Sequence, residues 1–182
     1  FIDWLKEAGQ TYWQILPIHP TSYGDSPYQS FSTFAGNPYF IDLEELIEEG
    51  LLTREECDSM DFGDFEDDID YEDQYQNRYI LLTMAYERSN ISQDPEYQKF
   101  LAENRWWLDD YALFMALKDR FDGKCWNEWP QDIRLRYGYS MDYYRRELYF
   151  DIEFQQYMQF KFFEQYHALK NYANEKGIRL VG

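Results

Sequence analysis

The sequence predicts an α/β fold in which two parallel strands are joined by a long, mostly helical insertion. Tyr12-Trp13-Gln14-Ile15-Leu16-Pro17-Ile18 is β-rich and nearly continuous in large side chains, the pattern of a strand covered on both faces in a parallel sheet. Ile178-Arg179-Leu180-Val181-Gly182 reads as a second strand. Most of what lies between has helical apolar spacing, and a strand, helical crossover and parallel strand form a right-handed unit. In an α/β barrel the loops that follow the strands carry the site, so the loop after Ile18 is expected on the functional face.

Each element has its own local reason. Phe1, Ile2, Trp4, Leu5 and Ala8 follow helical spacing up to Gly9. Pro17 ends the first strand, and the loop from His19 to Tyr39 is dense in Gly, Pro, Ser and aromatics, long for a bare connector. Asp42 with Glu45, closed by Gly50, predicts a short helix over 43–49, and Thr53 with Glu56 repeats the capping pattern. The stretch from Asp58 to Asp73 holds nine carboxylates and no basic residue, and it reads as a solvated loop because no EF-hand order of ligands is present. Helix is expected from Asp73 to Arg88, from an Asp94 cap with Pro95 to about Asn104, and from Arg105 to Phe121. One long helix from Met141 to Glu175 would carry Tyr144, Leu148, Ile152, Tyr157, Phe160 and Phe163 as a single stripe, read as core packing.

The chain has 182 residues and a formal charge of -18, from 17 basic and 35 acidic side chains. That length supports a real core and one or two domains. The charge argues against nucleic acid or an anionic membrane as partner. No apolar run reaches the roughly 18 residues of a transmembrane helix, and no basic-then-apolar leader is present. Cys57 and Cys125 lie in no metal-type or redox spacing, so a reducing, cytoplasmic location is the expectation. A helix entered part-way at Phe1 and a strand that stops at Gly182 make the sequence read as a piece of a longer protein, truncated at both ends. Aromatic residues make up 21% of the chain, including 18 Tyr, and flat rings with a polar edge suit the faces of sugars.

Most catalytic patterns are missing from the sequence. Gly24, Gly36 and Gly50 are scattered, with no phosphate-loop GK[ST] after them, and there is no HExxH or GxSxG. His19 and His167 are far apart, His167 reading as structural, and Asp109-Asp110 reads as an ordinary solvated helix surface. One cluster stands out: Tyr23-Gly24-Asp25-Ser26-Pro27-Tyr28-Gln29 gathers donors, acceptors and ring faces on a backbone that Gly24 lets turn and Pro27 stiffens. For a sugar site this is suitable chemistry.

At this loop the sequence resembles the 4-α-glucanotransferases (amylomaltase, disproportionating enzyme), family 77 of the glycoside hydrolases. The resemblance is carried by Tyr12 to Pro17, by Tyr23 to Ser32, by Ala35-Gly36-Asn37-Pro38-Tyr39 and by Ile41-Asp42-Leu43. It continues in Ile69-Asp70-Tyr71, Trp107 to Lys118, Trp126-Asn127-Glu128-Trp129-Pro130 and Gly177 to Gly182. It implies a partial (β/α)8 TIM barrel, containing the first strand and the start of the second, with a helical insertion. It also implies transfer of α-1,4-glucan segments between maltooligosaccharides by a retaining double displacement, without metal or organic cofactor. The catalytic carboxylates of the family lie on later strands, outside this chain. By the same resemblance Ser26 and Tyr28 match sugar contacts, with Asp25 and Gln29 beside them in the substrate-binding run. Tyr23 and Tyr75 match a secondary glucan-binding site.

The organisation expected is a first strand and substrate-binding loop over 1–45, a helical insertion with the acidic loop over 46–105, and helices returning to the second strand over 106–182. The partners expected are α-1,4-glucans and maltooligosaccharides, with no oligomeric state specified. Two alternatives stand beside this reading. One is a non-catalytic glucan-binding or interaction module using surface tyrosines. The other is a different α-amylase-like barrel enzyme, which would lack the Tyr23 to Gln29 run.

Overall fold

The structure is a computed structural model and describes residues 1–22, 24–63 and 69–182. Among these the chain runs through α1 (Ile2–Glu7), β1 (Tyr12–Gln14), α2 (Leu43–Glu48), α3 (Arg54–Asp58), α4 (Tyr71–Arg88), α5 (Pro95–Arg120), α6 (Gln131–Arg134), α7 (Gly138–Glu147), α8 (Tyr149–Glu175) and β2 (Arg179–Val181). Short 3-10 turns occupy Pro38–Phe40, Ile91–Gln93 and Trp126–Glu128. β1 and β2 pair in parallel, with Tyr12 opposite Arg179, Trp13 opposite Leu180 and Gln14 opposite Val181. The α/β class and the helical crossover between parallel strands are therefore both present.

The first strand is shorter and more open than the residues suggest. The ladder ends where Ile15 N–H donates to Val181 O at 2.8 Å, and Ile18 O instead accepts from Asn37 N–H. Tyr12 is 57% exposed. Among the described residues one face is covered: Trp13 and Leu180 pack against Ile2 and Leu5 of α1 and against Ala173 and Ile178. Period-two alternation explains this, since neighbours along a strand point to opposite faces.

Two helix boundaries also differ from the sequence reading. Asn104 and Arg105, where the sequence predicts a boundary between two helices, lie inside one continuous α5, where Asn104 Nδ2 donates back to Phe100 O at 2.9 Å. Conversely, the single helix expected from Met141 to Glu175 is broken into α7 and α8 at Leu148, whose φ of -104° and ψ of 26° leave the helical region. Hydrogen bonds from Leu148 N to Tyr144 O and from Ile152 N to Leu148 O bracket the break.

Local capping is read correctly in two places and altered in a third. Thr53 and Glu56 form the reciprocal capping box of α3, and Asp94 accepts from Glu96 N and Tyr97 N with Pro95 opening α5. Asp42 caps α2 through Glu44 N, but its own N–H goes to Gln165 rather than to Glu45. In the acidic stretch, Asp70 caps α4 through Glu72 N and Asp73 N, while residues 64–68 lie outside the described residues.

The chain forms two compact units, residues 1–88 with 159–182, and residues 89–158. The second has a core of Leu113, Ala116, Leu117, Trp129, Ile133, Met141 and Leu148. The first contains β1, β2 and the loop that follows β1.

Candidate functional site

The loop after β1 is closed at its tip by its own backbone. Thr21 and Ser30 form an isolated antiparallel bridge, and Ser22 N–H donates to Gln29 O at 3.1 Å. Two turns lie within that bridge. Asp25 N–H donates to Ser22 O, with Gly24 at φ +88° and Asp25 at +52°, so a residue with a Cβ would be strained at 24. Gln29 N–H donates to Ser26 O at 3.0 Å across Pro27 and Tyr28, where the proline ring fixes φ for the turn.

This geometry brings Asp25, Ser26, Tyr28 and Gln29 together on two adjoining turns. Ser26 Oγ accepts from Tyr28 N–H at 3.3 Å, which leaves the hydroxyl proton to donate outward. Tyr28 is 76% exposed, so its ring face and phenolic oxygen are presented to solvent rather than packed. Tyr23 lies outside the described residues. Tyr75 is on α4, 47% exposed, its ring 4.7 Å from that of Tyr79.

The residue linking these parts is Tyr39, which sequence reasoning did not single out. Its ring is 6.4 Å from Tyr71. Burial pushes its hydroxyl up to about 12, and the Asp25 carboxylate, Tyr75 and Tyr71 reinforce the shift in that order. Asp25 and Tyr75 thus act on the same half-buried phenol, which stays a protonated donor at neutral pH.

The root of the loop is held differently. Gly36 N–H donates to Gln159 Oε1 at 2.8 Å and Gln159 Nε2 donates to Gly36 O at 2.9 Å. One helical turn and a half further on, Asp42 N–H donates to Gln165 Oε1 at 2.7 Å and Gln165 Nε2 to Asp42 O at 3.1 Å. Each amide mimics a strand partner by satisfying one N–H and one C=O of the loop. Between them Phe162 lies so close that a Cβ on Gly36 would come 2.0 Å from its ring. His19 Nδ1–H donates to Ala35 O at 3.2 Å, and Arg78 donates to Ile41 O. The signal that could have revealed this anchoring is the pair Gln159 and Gln165 flanking the aromatic run of Phe160, Phe162 and Phe163 in α8, since buried amides require partners.

Among the described residues no group of three or more His, Cys, Asp or Glu side chains is placed to hold a metal ion. Nor is any helix among them long and apolar enough to cross a membrane. Cys57 and Cys125 are free thiols.

The sequence profile described as 4-alpha-glucanotransferase matches residues 1–182. The chain belongs to this family, glycoside hydrolase family 77. It is 47% identical over 182 residues to the 4-alpha-glucanotransferase of Clostridium butyricum, covering all of this chain and 37% of that protein. It is 43% identical to the Thermus thermophilus 4-alpha-glucanotransferase, covering 36% of it. Among solved structures it is similar to the amylomaltase from Streptococcus agalactiae in complex with acarbose, with a TM-score of 0.94 and 37% identity. That match covers all of this chain and 37% of the amylomaltase chain, so the sequence spans a little over a third of the length of its relatives. Both relatives and the solved structure align over the whole of this chain.

Proposed function

We propose that the protein carrying these residues is a 4-α-glucanotransferase that moves α-1,4-glucan segments between maltooligosaccharides or starch-type glucans. The observation that carries this reading is the family match over the whole chain, with a loop whose polar tip is exposed and whose root is fixed. The acarbose in the related amylomaltase supports a saccharide as ligand.

In this reading residues 1–182 form the front of a (β/α)8 barrel and supply part of the substrate-binding wall. The reaction retains configuration: a carboxylate attacks the anomeric carbon while an acid protonates the leaving oxygen, and the 4-hydroxyl of an acceptor glucan then displaces the enzyme. Nucleophile and acid/base are assigned to barrel strands beyond Gly182. The role left to this chain is positioning. Ser26 donates to a sugar oxygen, Tyr28 offers a ring face and hydroxyl, Asp25 and Gln29 bracket the hydroxyl groups, and Tyr23 and Tyr75 hold a more distant part of the glucan. Holding acceptor sugar in place of water favours transfer over hydrolysis. No cofactor is called for, and the free thiols suit a cytoplasmic setting.

The test is maltotriose disproportionation. The complete enzyme should yield longer and shorter maltooligosaccharides, and the isolated 182 residues should yield none. Products from the isolated residues would bring catalysis into this stretch and overturn the division of labour. A complete protein that binds glucans without disproportionating them would favour a non-catalytic module.

A further inference from the structure

The unit of residues 89–158 carries a groove of about 410 Å³ between α5 and the start of α8, within the range of roughly 300–1,000 Å³ usual for ligand clefts. Leu113 and Ile152 supply its apolar contacts. Its polar wall is made of Arg105, Asp109, Arg145, Glu153 and Gln156, with Tyr149 beside them. None of these residues belongs to the loop after β1.

Two features of the wall select the ligand chemistry. First, two guanidinium groups stand against two carboxylates, so the groove is formally neutral in a chain of charge -18. An anionic ligand would meet Asp109 and Glu153, and a cationic one would meet both arginines. A neutral polyhydroxyl chain uses both signs, its hydroxyls donating to carboxylates and its oxygens accepting from guanidinium. Second, hydrogen-bonding capacity is left over. Arg105 uses Nε on Asp109 Oδ2 at 3.3 Å, leaving its terminal nitrogens to donate, and Arg145 is exposed with no partner among the described residues. Tyr149 is 63% exposed, and its hydroxyl donates to Glu153 Oε1 at 3.2 Å, which fixes the phenol while leaving the ring free to stack.

The geometry points to a carbohydrate site in this groove, separate from the loop after β1 and from Tyr75, one that holds a neutral α-glucan chain by stacking on Tyr149 and by hydrogen bonds to Arg105, Asp109, Arg145 and Gln156. It rests on the proposed glucan substrate and adds a place where a long polymer is retained. Short substrates such as maltotriose gain nothing from it.

The experiment uses the complete enzyme in native gels containing amylopectin, with maltotriose disproportionation measured in parallel. Tyr149→Ala should weaken retardation by amylopectin about five-fold, the scale of losing one ring contact, with maltotriose kcat/KM and melting temperature unchanged. Arg145→Ala should weaken it in the same direction, and Tyr149→Phe should retain most of the binding. Unchanged retardation in both alanine variants overturns the site while the activity reading stands. Loss of maltotriose activity along with retardation in Tyr149→Ala also overturns it, because the ring would then serve the reaction directly. A wild-type enzyme that neither binds amylopectin nor disproportionates maltotriose overturns both readings.

Discussion

The two halves of the loop after β1 are specified in opposite ways. The tip, residues 21–30, is closed by bonds between near neighbours in sequence and leaves Tyr28 in solvent. The root, residues 35–42, is held by Gln159 and Gln165, each 123 residues away, and buries Ala35, Gly36, Asn37 and Ile41. The difference separates two tasks within one segment. A rigid root fixes where the tip stands, and a self-supporting tip leaves Tyr28 exposed. Substitutions at the root should therefore act on stability and those at the tip on binding.

The largest effect is expected at Gly36. Its alanine variant would drive a methyl into the buried Phe162 ring, and neither the ring nor the doubly bonded backbone can retreat. Gly36→Ala should lower stability by on the order of 3 kcal/mol in denaturant unfolding. A near-neutral effect would mean that the root is far looser than described.

Next comes Gln159→Leu, which keeps side-chain bulk but leaves the N–H and C=O of buried Gly36 without partners. A loss of about 2 kcal/mol is expected. The matching Gln165→Leu should cost less, about 1 kcal/mol, because water can replace the amide at the exposed Asp42. Equal costs at the two positions would undo the contrast between a buried and an open anchor.

These anchors also show what the sequence could and could not convey. The Thr53 and Asp94 caps were legible because donor and acceptor lie within three residues. So was the parallel pairing of the two strands, since β-rich runs separated by helix leave few connections. The turning of the loop tip was legible from Gly24 and Pro27, whose backbone preferences are intrinsic. The extent of β1 was not, because coverage of Tyr12 and Leu16 depends on which elements pack over them. Leu148 carries no Gly or Pro to mark its break, and Asn104 resembles a helix end while serving as an interior residue. The Asp42 N–H looked like a partner for Glu45, three residues on, and went to a glutamine from the other end of the chain. Tyr39 gave no local sign of its role, since its shift comes from burial and from Asp25, Tyr75 and Tyr71.

A smaller effect sharpens the contrast through Tyr39. Its hydroxyl should titrate near 12 in the folded protein, against about 10 for an ordinary tyrosine. Because the folded value is the higher one, the associated stability is fully present below pH ~10 and is lost as pH rises toward 12. Following Tyr39 by NMR across that window checks the position. Asp25→Asn should bring the midpoint down by the part of the shift that the carboxylate supplies, and an unmoved midpoint would separate the tip from Tyr39.

In the proposed function the tip of this loop is a glucan-binding wall whose side chains position substrate without supporting the fold. It is tested most directly by comparing Tyr28→Ala with wild type in the complete enzyme, measuring maltotriose disproportionation and denaturant unfolding on the same samples. The account predicts a fall in kcat/KM of about ten-fold or more with stability unchanged within about 0.5 kcal/mol. Wild-type kinetics, or a loss of activity that only follows a loss of stability, would contradict it.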